Sequence, residues 1–200
     1  MFDSYLKEGQ RMFVKKNTVI YEQGTIGDGF YYVADGLVKM SMRVFEGKER
    51  ILEIIEKGKT FGELSMDHKC YFSSAIAMEN SVIYYLEYKK NQELIMKNKN
   101  VRDMICNTVI NKLKRLGDII QYKSLPVEEQ LAYLLIGICH ENNSYEIPLN
   151  QQQLSQFTGL TRITIYKVTK EWNEKNLILK KEGKLFIRCP ESLQEYVSAL

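Results

Sequence analysis

The chain has 200 residues, of which 44% are hydrophobic and 26% charged, and its formal net charge is +3. This length supports one large domain or two small ones, and so small a charge indicates no partner by itself. No apolar run approaches the roughly 18 residues of a membrane-spanning helix, and the N-terminal residues lack the apolar stretch of a secretory signal. We therefore expect a cytoplasmic protein that makes no membrane contact.

Residues 10–87 are predicted to form β-structure, because short runs rich in β-branched and aromatic residues alternate with glycine-containing turns. The runs are TVIY (18–21), FYYVA (30–34), LVKMSMRV (37–44), RILEII (50–55), SAIAM (74–78) and SVIYYLE (81–87). Strict alternation along residues 37–44 predicts that one face of that strand is buried. Many short strands separated by glycine turns favour a sandwich or a closed roll.

Residues 88–124 lose their glycine turns and are predicted to be helical, first a short helix and then one of about 24 residues. Apolar residues spaced by 3, 4, 3 and 4 positions form a seam along the long helix: Cys106, Val109, Leu113, Leu116 and Ile120. Such a seam suits either packing on the helix's own domain or pairing with a second copy in a dimer. The Leu125-Pro126 step ends the helix, since proline disfavours helical backbone at the residue before it.

Residues 127–200 are predicted to be helical and to end in a hairpin. Asn150 and Thr161 are suited to begin two helices, and Gly159 is suited to end the first of them. Two alternating runs around Glu182-Gly183 then predict a β-hairpin. Helix, glycine-containing turn, capped helix and hairpin form the pattern of a winged helix-turn-helix. The predicted division is a β-roll domain at 1–97, a central helix at 98–124 and a winged helix-turn-helix domain at 125–200.

Charge supports contact with nucleic acid in this last region. Residues 150–190 contain eight basic and three acidic residues, a local net charge of +5. The second helix is predicted to expose Arg162, Thr164, Lys167 and Lys170, with Arg162 and Lys167 near the end that enters a major groove. Arginine suits guanine O6 and N7, and lysine suits guanine or phosphate. A basic face of this kind is what phosphate binding requires.

Enzyme and metal chemistry find little support in the sequence. The two histidines, His68 and His140, lie in no recognisable catalytic motif, so we expect no enzyme activity. The four cysteines are far apart, without a C-x-x-C pair: Cys70, Cys106, Cys139 and Cys189. In a reducing compartment they are expected to be free thiols.

Four segments carry a resemblance to the Crp/Fnr family of bacterial transcription regulators, and the resemblance extends over nearly the whole chain. Residues 24–40, 46–65 and 73–87 look like the family's cyclic-nucleotide-binding β-roll, and residues 149–178 are similar to its helix-turn-helix. The long helix lies where the family has its dimerisation helix. The resemblance implies an α+β fold with an N-terminal jelly roll, a long dimerisation helix and a C-terminal winged helix-turn-helix.

The resemblance also implies partners and contacts. It implies a homodimer on double-stranded DNA with an inverted-repeat operator, and contact with RNA polymerase. The residues expected at the DNA are Gln152, Thr161, Arg162, Ile163, Thr164, Tyr166, Lys167, Lys170 and Lys180. Ile163 departs from the family pattern, in which many members have a glutamate, so the usual operator is not expected. Isoleucine offers only apolar contact, for example with a thymine methyl group.

The segment 61–77 resembles the cassette that holds the cyclic AMP phosphate in nucleotide-binding members. The residues expected at an effector are Gly62, Glu63, Leu64, Ser65, Ser73, Ser74 and Leu116. The family's phosphate-neutralising arginine falls at Ser73, so the cation is missing. The Thr-Ser pair that meets adenine in the central helix is also absent, because the nearest stretch reads Arg115-Leu116-Gly117-Asp118. Cyclic AMP is therefore not expected to be the effector.

The sequence is compatible with several kinds of effector and of regulation. The favoured hypothesis is a small effector other than cyclic AMP, and similarity to the branch that senses small aromatic acids such as halogenated phenols makes that class one option. Haem at His68 or Cys70, and a thiol switch at Cys70 or Cys106, are further hypotheses. An effector-independent regulator, or a module that regulates a partner protein without binding DNA, completes the set.

Overall fold

The computed structural model describes residues 6–67, 69–142, 144–181 and 184–197. Its contacts divide the chain into two compact units, Met1–Lys114 and Arg115–Leu200. The boundary falls inside the long helix, so the central segment that the sequence separated at 98–124 is shared between the two units. No helix in the described residues is both long and apolar enough to cross a membrane.

The first unit is built on two antiparallel four-stranded sheets, as far as its residues are described. The strands are β1 (Gln10–Val14), β2 (Val19–Tyr21), β3 (Gly29–Asp35), β4 (Leu37–Arg43), β5 (Glu49–Glu56), β6 (Thr60–Phe61), β7 (Ser74–Ala77) and β8 (Ser81–Glu87). One sheet has the order β1-β8-β3-β6 and the other β2-β7-β4-β5. Their facing sides bury a core that includes Val33, Val38, Phe61 and Ile83. The predicted β-roll is confirmed, and β1 and β6 are strands that the sequence did not separately predict.

A bulge in β4 changes the predicted alternation. Val38 and Met40 are buried as expected, but the register with β5 shifts between Met40 and Ser41, so that Ser41 is buried as well. An extra residue in one strand reverses which side chains face inward. Strict alternation along residues 37–44 was therefore wrong beyond Met40.

Two helices follow the roll, α1 (Tyr88–Lys97) and α2 (Lys99–Tyr122), and α2 has the predicted length of 24 residues. Val101 and Ile105 in the first half of α2 are buried in a cluster with Phe30, Leu86 and Tyr88. This packing attaches the start of α2 to the outside of the roll.

The second unit contains the helix-turn-helix and a small sheet. Its elements are α3 (Val127–Asn142), β9 (Glu146–Ile147), α4 (Gln151–Thr158), α5 (Arg162–Glu174), β10 (Ile178–Lys181), β11 (Lys184–Ile187) and α6 (Pro190–Glu195). The strands form a sheet in the order β10-β11-β9. Leu131, Leu154, Ile165 and Trp172 are fully buried and form its core. The helix-turn-helix with a hairpin wing and the α+β class are confirmed, whereas α6 was not predicted.

Candidate functional site

The turn between α4 and α5 is defined by helix caps. The Asn150 side chain accepts a hydrogen bond from the Gln153 amide at 2.9 Å, and the Gln153 side chain accepts one from the Asn150 amide. Gly159 ends α4 in the left-handed region, with φ of 82°. Thr161 then begins α5 by accepting a hydrogen bond from the Thr164 amide at 3.1 Å. These local contacts set the direction of α5.

One face of α5 is buried and the other is exposed and basic. Ile165, Val168 and Trp172 are buried in the core of the unit. The exposed face consists of Arg162, Ile163, Tyr166, Lys167 and Lys170. Within the described part of the chain, Arg162 and Lys167 form no ion pair. Two unpaired cations on one helix face suit contact with bases and phosphates in a groove.

Two apolar side chains stand among these cations. Ile163 is 69% exposed and Tyr166 is 50% exposed, although both are large hydrophobic residues. Neighbouring apolar side chains that are exposed on a polar surface often belong to a contact surface. In a major groove such groups suit the methyl group of thymine.

The hairpin wing is attached to α5. The Lys180 ammonium group lies 5.2 Å from the centre of the Tyr166 ring, and the Lys180 amide donates to the Asn173 side chain at 3.3 Å. Lys180 is exposed, so its charge is available beside the basic face of α5. The predicted turn at Glu182-Gly183 lies outside the described residues.

The remaining residues predicted at the DNA occupy the same module. Gln152 is exposed in the first turn of α4. Thr164 is half-buried, and its hydroxyl lies 2.8 Å from the Thr161 hydroxyl within the cap. Lys170 forms an ion pair with Glu174, with 3.8 Å between the charged atoms. The structure therefore gives the two threonines a structural role in addition to the predicted one.

The predicted dimerisation residues form an exposed strip along α2. Cys106 is exposed, and the exposed fractions of the others are 38% for Val109, 68% for Leu113, 52% for Leu116 and 70% for Ile120. A strip of this kind on a single helix is unusual for a surface that meets only water.

The cassette residues in the roll form a tight turn. Gly62 has φ of 85° and precedes a short 3-10 helix at Glu63–Ser65, in which Glu63 and Ser65 are buried. The Ser65 hydroxyl donates to the Gly62 carbonyl at 2.8 Å. The Tyr88 hydroxyl donates to the same carbonyl at 3.1 Å, and the Tyr71 hydroxyl donates to the Gly29 carbonyl at 2.9 Å. The turn is thus held by its own Ser65 and by Tyr88 of α1, while Tyr71 is bound to β3.

A lysine from α2 meets this turn. The Lys112 ammonium group donates to Oε1 of Glu63 and lies 3.8 Å from Oε2 of Glu53. The side chains of Lys112, Glu63 and Glu53 are 13%, 0% and 17% exposed, so all three charges are largely removed from water. Glu63 Oε2 and the Ser73 hydroxyl are buried and make no hydrogen bond within the described residues.

The space left at this site is small. A cavity of about 10 Å³ remains among the residues Tyr21, Met40, Gly62, Leu64, Ser65, Tyr71, Phe72, Ser73 and Lys112. The rings of Tyr21 and Tyr71 stack with their centres 3.9 Å apart. Burial raises the pKa of the Tyr21 phenol well above its usual range, and the Glu63 carboxylate raises that pKa further. Tyr21 is therefore protonated under all ordinary conditions.

The sequence-predicted effector residues are brought together only in part. Gly62, Leu64, Ser65 and Ser73 line the cavity, and Glu63 meets it through Lys112. Ser74 instead accepts a hydrogen bond from the Gln23 amide at 2.9 Å, and Leu116 is half-exposed in the other unit.

Sequence reasoning missed Lys112 and Tyr21. Nothing in the spacing distinguishes Lys112 from the solvent-exposed lysines of α2. Tyr21 was assigned only to a strand.

The described residues bring together no group of side chains that supports a redox site or a metal site. Cys70 and Cys106 are exposed free thiols, whereas Cys139 is buried, and burial raises the pKa of its thiol. His68 lies outside the described residues. Among the residues that are described, no group of three or more potential metal ligands comes together.

Each of the two units matches a known protein family. Residues 11–98 match the Cyclic nucleotide-binding domain family, and residues 129–196 match the Crp-like helix-turn-helix domain family. These two matches fall on the roll and on the winged helix-turn-helix, respectively.

Similar proteins cover the chain along most of its length. The Cyclic AMP receptor protein of Thermus thermophilus is 23% identical over 202 residues, covering 99% of this chain and 93% of that protein. The cAMP-activated global transcriptional regulator CRP of Salmonella typhimurium is 24% identical over 175 residues, 83% of each chain. The structure of FixK2 from Bradyrhizobium japonicum has the same fold, with a TM-score of 0.82 at 14% identity over 94% of this chain and 96% of that one. With its roll, its basic recognition helix and both family matches, the chain belongs to the DNA-binding transcription regulators of the Crp/Fnr family and is not an enzyme.

Proposed function

We propose that this protein is a cytoplasmic homodimer that binds an inverted-repeat operator and regulates transcription. The exposed basic face of α5 carries this proposal. Its cations, Arg162 and Lys167, lie in the first half of the helix, beyond a capped N-terminus, and have no acidic partner among the described residues. This is the geometry of a recognition helix whose N-terminal half contacts base edges.

The composition of the face suggests how an operator would be read. Arg162 offers two parallel donors to guanine, while Ile163 and Tyr166 offer apolar contact to a thymine methyl group. Lys180 on the wing offers a phosphate contact, which adds affinity without sequence preference. We therefore expect half-sites that combine at least one guanine with neighbouring thymines.

Pairing through α2 supplies the second recognition helix. Leu113 and Ile120 are each about two-thirds exposed, at 68% and 70%, and a partner helix would remove them from water. Burial of apolar surface stabilises association by about 25 cal/mol per Å². Two copies of α5 would then address half-sites about one turn of DNA apart. A regulator of this kind is expected to act through RNA polymerase.

The residues of the roll support a site that takes no cyclic nucleotide. Ser73 stands where the phosphate would need a cation, Glu63 is paired with Lys112, and the cavity of about 10 Å³ has room for little more than one water molecule. The same lack of space disfavours a small aromatic effector. Of the effector hypotheses, the geometry therefore favours a regulator that needs no effector.

The test is selection of DNA from a random pool with the purified, ligand-free protein. We expect an inverted repeat whose half-site centres are about 10 base pairs apart, bound in a salt-dependent manner. Arg162→Ala should lose the base preference at one position of each selected half-site, whereas Lys175→Ala should keep the whole selected sequence, because Lys175 is paired with Glu171 at the far end of α5. Failure to select any sequence, with folded dimeric protein, would instead support a module that regulates a partner protein.

A further inference from the structure

We propose that Lys112 is a built-in ligand of the roll: its ammonium group takes the place of an effector and holds α2 against the cassette, so that DNA binding requires no small molecule. This inference rests on the proposed DNA-binding function. It concerns a site whose family is described as cyclic-nucleotide-binding and whose residues here do not fit such a ligand.

The first observation is the position of the ion pair. Glu63 lies in the 3-10 helix of the cassette, with its side chain fully buried, and one of its oxygens accepts from Lys112. Glu63, the glutamate that the family resemblance assigns to effector binding, is therefore already paired with Lys112. Glu53 on β5 lies 3.8 Å from the same ammonium group, so that roll and helix are joined through three charges.

The second observation is that Lys112 continues the face by which α2 contacts the roll. Val101 and Ile105 are buried in the first part of this face. The Thr108 hydroxyl lies 3.2 Å from the Thr60 hydroxyl, one turn before Lys112. The spacing of 4, 3 and 4 residues keeps these four side chains on one side of the helix. Lys112 is thus the last of a row of contacts between α2 and the roll.

The third observation concerns charge. Among the described residues that line the cavity, Lys112 is the single cation, and it is already paired. An anionic ligand would have to take Lys112 away from Glu63 and would leave that carboxylate buried without a partner. Removing one partner of a buried pair is strongly unfavourable, since the remaining charge has neither water nor a counterion. The pair therefore excludes cyclic nucleotides as well as replacing them.

The consequence for DNA binding follows from the neighbouring face of the same turn of helix. Leu113 follows Lys112 directly and belongs to the exposed apolar strip of α2. Fixing Lys112 on the roll fixes the direction in which that strip faces. An orientation that other proteins would obtain by binding a ligand is here set by a side chain of the same protein.

The experiment compares operator binding and hydrogen exchange of the full-length protein, freed of small molecules as verified by native mass spectrometry. Cyclic AMP and cyclic GMP are the probes, each added at millimolar concentration. We expect unchanged operator affinity and unchanged exchange of the amides of residues 105–114. A gain in affinity of about threefold or more with either nucleotide would overturn the proposal.

Variants test the lysine itself. Lys112→Met should weaken operator binding by about tenfold or more and speed exchange at residues 105–114. Lys114→Met is the matched control on the exposed side of the same helix and should behave as the wild type. Operator binding by Lys112→Met at the wild-type level would refute the role of the pair.

A second variant covers the case in which Lys112→Met does not fold. Lys112→Met/Glu63→Gln removes both charges, so folding is expected to recover, while exchange at residues 105–114 stays faster than in the wild type. Slow wild-type exchange in this variant would count against the proposal. Because exchange needs no operator, the test of the pair stays valid even if the wild type binds no DNA, a result that would overturn only the proposed function.

Discussion

The ammonium group of Lys180 lies 5.2 Å from the centre of the Tyr166 ring, so the wing and the recognition helix meet on the exposed basic face. Lys180→Ala should therefore weaken binding to all DNA sequences alike, because phosphate contacts carry no sequence information. The slope of log affinity against log salt should become shallower by about 0.9. Fluorescence anisotropy at several salt concentrations measures both effects.

Two variants serve as controls for this contact. Lys97→Ala removes an exposed lysine of α1 that is paired with Glu93, and it should leave the salt slope unchanged. Tyr166→Phe keeps the aromatic ring and should retain most of the Lys180 effect. A change of base preference in Lys180→Ala would show that the wing, and not α5, reads the sequence.

Arg162→Ala should relax base preference at one position in each half-site, at a cost of about 1–3 kcal/mol for the preferred base. The reason is that Arg162 is exposed in the first turn of α5 and has no ion-pair partner in the described residues. Binding to a panel of operators with single base changes measures the effect. Uniform weakening across the panel would mean that Arg162 contacts phosphate.

Leu113→Glu should dissociate the dimer, because a carboxylate at a position that is 68% exposed in the single chain would be buried in the paired helices. Sedimentation equilibrium should show monomers, and operator affinity should fall accordingly. Asn111→Glu adds the same charge at an exposed position of α2 outside the apolar strip and is the matched control. A dimer that survives Leu113→Glu would place the interface elsewhere.

Asn150→Ala should lower the free energy of unfolding by about 1 kcal/mol, because it removes one half of the capping box that begins α4. Urea denaturation measures the change. Asn150→Asp retains an oxygen acceptor at this position and should stay close to the wild type. Equal losses in both variants would exclude the hydrogen bond to the Gln153 amide as the cause.

Stability should fall as the pH rises from about 10 to 12. Burial raises the pKa of Tyr85 to about 12, with smaller contributions from Tyr71 and Asp28, whereas the unfolded chain ionises at the ordinary tyrosine pKa. The folded state therefore binds the proton more tightly across this interval, and each increase in pH favours unfolding. Burial also raises the pKa of Tyr31 and Tyr88, which adds to the same trend.

Urea midpoints measured between pH 9 and pH 12 test this expectation. Tyr85→Phe should flatten the decline, and Tyr145→Phe, which changes a tyrosine that is 62% exposed, serves as the comparison. A decline that is the same in both variants would assign it to other groups.

The sequence predicted local structure wherever short-range chemistry determines it. Asn150, Gly159 and Thr161 act at the helix ends where they were expected, because caps depend on neighbouring amides only. The bulge at Met40–Ser41 was missed, because it depends on pairing with β5. Contacts between residues that are close in space but distant in the chain leave no local pattern in the sequence.

The same distinction applies to the candidate sites. The exposed face of α5 could be predicted, since helical spacing alone separates it from the buried face. The pair of Lys112 with Glu63 could not, because 49 residues separate its members and a lysine in a polar helix resembles any solvent-exposed one. Its burial follows from the roll-facing row that Thr108 shares, which is evident only in three dimensions.

The Lys112–Glu63 pair also has an evolutionary meaning. If a lysine of the protein fills a site that binds a nucleotide in relatives, then very few substitutions separate a regulator that requires a ligand from one that binds DNA without a ligand. Replacement of Lys112 by a small polar residue, together with an arginine at Ser73, would restore the charges that a nucleotide phosphate needs.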